Sequence, residues 1–314
     1  MEKFNSIDRV VGAIPEKDKN EILEIYEHRF KNQYLNPDIP EFLYEDIAKT
    51  EEEIKIINLA NSEINNIKQK LDLPLLNIQP KNIHIVKRET WTASEEAYYH
   101  NHSQSIFITE DLTKKKLEFL HIALHEMLHF NSYNSLQILK NEPHLDTYRV
   151  GLGCLSRDGK KYYFSKLNEG VTEELTKKIM LNLIDDPIFK EERKKTADMV
   201  SKYPEVAING KEIKTDNKDI FYLEAEGGKA TADSFGYKKQ RSLLNILVGK
   251  IFDLNIKHYQ NKEEIMEIFY KGMFDGNLLP LGRLIDGSFG KDTFRHLGEL
   301  DEKYKEKKEF IESL

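Results

Sequence analysis

His125-Glu126-Met127-Leu128-His129 lies in a stretch of helical periodicity, and Leu167-Asn168-Glu169-Gly170-Val171-Thr172-Glu173 begins a second one about forty residues later. No other feature constrains the fold as much. Side chains four apart project from one helix face, so two imidazoles one turn apart can share a metal ion. A catalytic zinc site needs three protein ligands and a position left open for water. The Glu between the histidines is placed to act on that water, and a later Glu can complete the ligand set. If these parts meet in space they make a zinc hydrolase, with peptide hydrolysis the leading expectation.

The first helix is expected over about 113–131, with capping residues at Glu110-Asp111-Leu112-Thr113. Leu120, Ala123, Leu124, Met127 and Phe130 fall opposite His125 and His129, so one face packs while the other presents histidines. His121 shares the histidine face. An ion held by His125 and His129 lies about 9 Å further along the axis, which removes His121 as a ligand and leaves it a helix-face or supporting residue. The second helix is expected over about 168–184, with a stripe of Val171, Leu175, Ile179 and Leu183. Glu169 and Glu173 lie on its other face. Glu169 is the expected third ligand and Glu173 its rival. Whichever is not the ligand can accept a hydrogen bond from the far nitrogen of a zinc-bound histidine. Glu126 is the expected general base.

The 314 residues suffice for one large or two moderate domains. A net charge of −7 argues against nucleic acid as a partner. Cys154 is the only cysteine, which excludes an intrachain disulfide and a Cys-rich zinc site. The N-terminal residues lack the apolar core of a signal peptide, and no apolar run of membrane-spanning length occurs. A cytoplasmic chain without a membrane partner is therefore expected. Asn101-His102-Ser103 matches a glycosylation acceptor by chance on this reading.

Residues 1–72 read as a helical region packed on the catalytic unit, with Ile22, Ile25, Tyr26 and Phe30 in one helix and Ile54, Ile57, Leu59, Ile64 and Ile67 in another. Asn36-Pro37-Asp38-Ile39-Pro40 separates the two. Residues 73–314 form the expected catalytic domain. Strands are expected at 83–86 and 103–109, and a hairpin over 148–164 turns at Asp158-Gly159. From Pro187 onward the chain reads as largely helical, with a polar loop over 208–219 and a turn at Gly227-Gly228. The spacing there is wrong for a phosphate loop, and no G-x-S-x-G is present.

The segments 125–129 and 168–173 together resemble the gluzincins, zinc metallopeptidases whose H-E-x-x-H is followed by N-E-x-x-x-D/E on the next helix. The resemblance covers roughly residues 103–184. It implies a helix-dominated α+β, zincin-like fold with a small mixed sheet beside the active-site helix. It implies Zn2+ held by His125, His129 and Glu169, with Glu173 as the outer support and a peptide or protein as substrate. It also implies that the strand at 103–109 is the edge on which an extended peptide is laid, and that a Tyr or His stabilises the oxyanion; Tyr162, Tyr163, Tyr237, His258 and His296 are candidates. The chain departs from the pattern in two ways. The gap from His129 to Glu169 is about twice that of the best-known gluzincins, with the 148–164 hairpin filling it. The aminopeptidase G-x-M-E-N signature is absent, which argues against an aminopeptidase. The alternative is a regulatory zinc-site protein with a peptidase-like groove, and an intact Glu126 favours the enzyme.

Overall fold

A computed structural model describes residues 5–32, 45–138, 145–208, 211–226, 229–301 and 303–314. The expected breaks at Asn36–Pro40 and Gly227-Gly228 lie outside these residues, as do 209–210 of the expected polar loop. In chain order the elements are β1 (Ile7–Val11), α1 (Glu16–Asn32), β2 (Asp46–Ile47), α2 (Glu51–Lys70), β3 (Ile83–Val86), β4 (Ala97–His100), β5 (Ser105–Thr109) and α3 (Lys116–Asn131). Then come β6 (Asn134–Ile138), β7 (Leu145–Val150), β8 (Gly153–Leu155), β9 (Tyr162–Tyr163), α4 (Ser165–Leu183) and α5 (Lys190–Lys202). Two hairpins, β10 (Glu205–Ile208) with β11 (Lys211–Lys214) and β12 (Ile220–Glu226) with β13 (Lys229–Ser234), precede α6 (Lys238–Leu254), α7 (Lys262–Asp275), α8 (Leu279–Phe289), α9 (Thr293–Glu299) and α10 (Tyr304–Ser313). This is a mixed α+β fold, rich in helix, with small mixed sheets.

A four-stranded sheet has the order β2-β3-β5-β4, in which only β3 and β5 run parallel. A five-stranded sheet has the order β1-β6-β7-β8-β9. Helix α3 packs against β4 and β5 of the first sheet and against α2 and α4. One apolar core runs from Phe30 and Ile56 through α3 and α4 to Ile311, so the helices before residue 72 share it with the rest.

Several expectations change. The N-terminal region is not wholly helical, because β1 pairs in parallel with β6 and so closes the second sheet. In α2 the buried stripe is Ile56, Ile57, Ala60 and Ile64, while Ile54 faces solvent. That helix begins at a complete capping box between Thr50 and Glu53. The strand at 105–109 is interior, and among the described residues β4 is the edge strand beside α3. The region after Pro187 contains two hairpins, one of which occupies much of the expected polar loop. Asn101 is buried and donates to Thr147 Oγ1 at 2.8 Å.

Helix α3 is buried on nearly every side, so it has no separate packing and histidine faces. Its start is not capped by residues 110–113, which form a short 3-10 turn. Instead Glu192, at the start of α5, accepts from the backbone N–H groups of Lys116 at 2.7 Å and Leu117 at 2.8 Å. A carboxylate at a helix N-terminus satisfies orphan donors and opposes the positive end of the dipole. Glu192→Ala is therefore expected to lower unfolding free energy by about 1–2 kcal/mol. Urea unfolding would check this, and an unchanged midpoint would rule the cap out.

Candidate metal centre

Two helices supply the ionisable side chains of the site. Helix α3 supplies His125, Glu126 and His129; α4 supplies Glu169 and Glu173. Asn168-Glu169-Gly170 divides its work. Asn168 Oδ1 accepts from Leu152 N at 2.8 Å, which ties the β7–β8 turn to α4. Gly151 makes that turn at φ +59°, a conformation suited to glycine. Gly170 lets α6 approach, since a Cβ there would lie 3.1 Å from the Gln240 backbone. Between them, Glu169 is directed at the histidines.

His125 Nε2 and His129 Nε2 are 3.1 Å apart, and Glu169 Oε2 lies 3.3 Å from the first and 3.4 Å from the second. Three donors held tetrahedrally about 2.0–2.2 Å from one ion lie roughly 3.3–3.6 Å apart. The triangle thus fits a single small cation, and its two imidazoles and carboxylate are a donor set that suits zinc. The electrostatics favour positive charge at the same place. Burial pushes the His125 ring down, yet the carboxylates of Glu169 and Glu173 outweigh burial and hold it well above its ordinary value. Burial opposes ionisation of Glu169, but His129 and His125 hold its carboxyl well below the usual range.

Glu173 stands behind the triangle. Its Oε2 faces His125 Nδ1 at 2.8 Å, and its Oε1 faces His121 Nε2 at 2.8 Å and accepts from Gly236 N–H. It is buried, and despite that burial the two histidines hold its carboxyl far below the usual range. His121 is not part of the triangle. His129 Nδ1 is buried without a hydrogen-bond partner among the described residues. His125 is therefore the one histidine of the triangle with a carboxylate behind it.

Glu126 borders the triangle and the cleft. Its Oε2 accepts from the backbone N–H of Tyr99 on β4 at 2.7 Å, and Oε1 has no partner among the described residues. The cleft encloses about 350 Å³. It is lined by β4 and Glu95, and by Thr147, Tyr148, Val150, Leu155 and Tyr162. Of the five oxyanion candidates, Tyr162 and Tyr237 line the cleft, whereas Tyr163, His258 and His296 do not. Tyr237 stacks on His125, with ring centroids 5.3 Å apart and planes 7° from parallel. Its φ of +46° starts α6 in the left-handed region. Burial, followed by the negative charge of Glu169, pushes its hydroxyl well up, so it keeps its proton. Sequence reasoning missed the Tyr99 and Gly236 N–H groups, because a backbone donor has no sequence signal.

Comparison with protein-family models, with curated proteins and with solved structures gives no match. No helix among the described residues is long and apolar enough to cross a membrane.

Proposed function

We propose that the protein is a zinc-dependent peptidase of gluzincin type with a zincin-like fold. The observation that carries this reading is the triangle of His125, His129 and Glu169 donor atoms, 3.1–3.4 Å apart, beside Glu126 at the floor of an open cleft. When bound there, zinc supplies Lewis acidity, which makes water a nucleophile near neutral pH and polarises a carbonyl. Glu126 takes the proton of the attacking water on Oε1 and delivers it to the leaving amine. The Tyr99 N–H holds the other oxygen and so fixes the carboxylate's direction. The Tyr237 hydroxyl, still protonated, donates to the oxyanion of the scissile carbonyl. The outward edge of β4 offers backbone groups to an extended peptide, and the tyrosine-bearing lining of the cleft sorts its side chains.

The test is cleavage of a broad peptide library with metal analysis in parallel. One zinc per chain is expected, with peptide cleavage that a chelator abolishes and Zn2+ restores. Zinc without cleavage across the library would favour the regulatory reading, and cleavage confined to non-peptide amides would move the substrate class.

A further inference from the structure

We propose that His121 is a positioning residue, whose imidazole N–H holds Glu173 in the orientation that sets His125 as a metal ligand. The inference rests on the metal-site reading above. An ionised carboxylate can only accept, so both ring nitrogens facing Glu173 carry their protons. For His125 this places a proton on Nδ1, so Nε2 is the nitrogen that would ligate an ion shared with Glu169 and His129. Such outer partners fix the tautomer and ring direction of a metal-bound histidine.

Glu173 can do this only if its own carboxylate is fixed. Oε2 is committed to His125, so its direction depends on what holds Oε1. Two donors do so, the Gly236 N–H and His121 Nε2. His121 is itself confined. Its ring lies among Phe221 and Phe235, with centroids 5.0 Å and 5.6 Å away. Phe221 belongs to β12, while Phe235 and Gly236 link β13 to α6. The β12–β13 hairpin therefore grips Glu173 twice, directly through Gly236 and indirectly by pinning His121. The path runs Phe221/Phe235, His121, Glu173, His125, and then the shared donor triangle.

The experiment is zinc affinity of the full chain by competition with a chromophoric chelator, with the visible spectrum of the cobalt(II)-loaded protein as a second readout. His121→Phe keeps a ring between the two phenylalanines and removes the donor. It is expected to weaken zinc binding about ten- to a hundredfold and to alter the cobalt spectrum. His121→Gln returns a side-chain N–H and is expected to recover most of the affinity and the wild-type spectrum. In zinc-loaded wild type, nitrogen NMR is expected to find His121 protonated on Nε2 and His125 on Nδ1, which tests the proposal even if the Phe variant does not fold. Failure of the wild-type chain to bind zinc would overturn the metal reading and this one together. Wild-type affinity and spectrum in His121→Phe, no rescue by Gln, or a His121 proton on Nδ1 alone would overturn the role of His121 and leave the metal reading standing.

Discussion

Glu126→Gln is expected to lower kcat for peptide cleavage by about 10²–10⁴-fold while the chain still binds one zinc. The substitution is nearly isosteric. The amide oxygen of Gln can still accept from the Tyr99 N–H, now 2.7 Å from Glu126 Oε2, so the helix and β4 keep their relation. The loss is basicity at the oxygen facing the cleft. If Glu126 acts only in the transition state, kcat and kcat/KM fall together and KM changes little. Steady-state kinetics with metal analysis on the same preparation would check this. A variant that cleaves at the wild-type rate would refute the mechanism, and one that loses its zinc would make Glu126 a structural part of the site.

Glu169→Ala and Glu173→Ala are expected to separate in opposite directions on two measurements. Glu169 is partly exposed at the cleft and contributes a donor to the triangle. Its loss should weaken zinc binding by more than about a hundredfold, beyond the usual cost of losing an outer partner. The metal-free fold should be little affected, because the carboxylate's neighbours are the two histidines of an accessible site. Glu173 is buried and accepts from three groups, Gly236 N–H and the two imidazoles. Its loss should cost only about ten- to a hundredfold in affinity. It should also destabilise the metal-free fold by on the order of 3 kcal/mol, since buried donors are left without an acceptor. Chelator competition and urea unfolding of both variants would check the ranking. The reverse order in affinity would exchange the roles of the two acids.

What the sequence could show depended on how local the cause was. The two helices that carry the site were legible, because Val171, Leu175, Ile179 and Leu183 form a stripe and His125 and His129 sit one turn apart. The strand at 83–86 was legible from its run of β-formers, and the one expected over 103–109 forms over Ser105–Thr109, buried throughout rather than on alternate residues. The N-terminal strand was not, because Asp8 and Arg9 interrupt its apolar residues and its partner β6 lies more than a hundred residues away. The β10–β11 hairpin carries exposed Glu205, Lys211, Glu212 and Lys214, which leaves too few apolar residues to mark its strands from sequence. The cap of α3 was hidden for the same reason as the strand pairing, since Glu192 stands far along the chain from the N–H groups it serves. In the site, side chains could be nominated from the motif, but the choice between Tyr237 and the other four candidates required the left-handed turn that lays its ring on His125.

The strands β6 to β9 lie between the two site helices in sequence, and β7, β8 and β9 line the cleft together with β4. The chain that sets the distance from His129 to Glu169 is therefore also the chain that a substrate's side chains would touch. Asn168, bonded to the turn at Leu152, anchors that segment near the ligands. The turn around Asp158-Gly159 is closed by its own bonds, Gly159 N to Ser156 O and Ser156 N to Lys161 O, rather than by this anchor. On the proposed reading, changes of length or composition at that turn would alter selectivity and leave the His125, His129 and Glu169 triangle as it is. On the proposed peptidase reading, a graft there is the natural place to retarget cleavage.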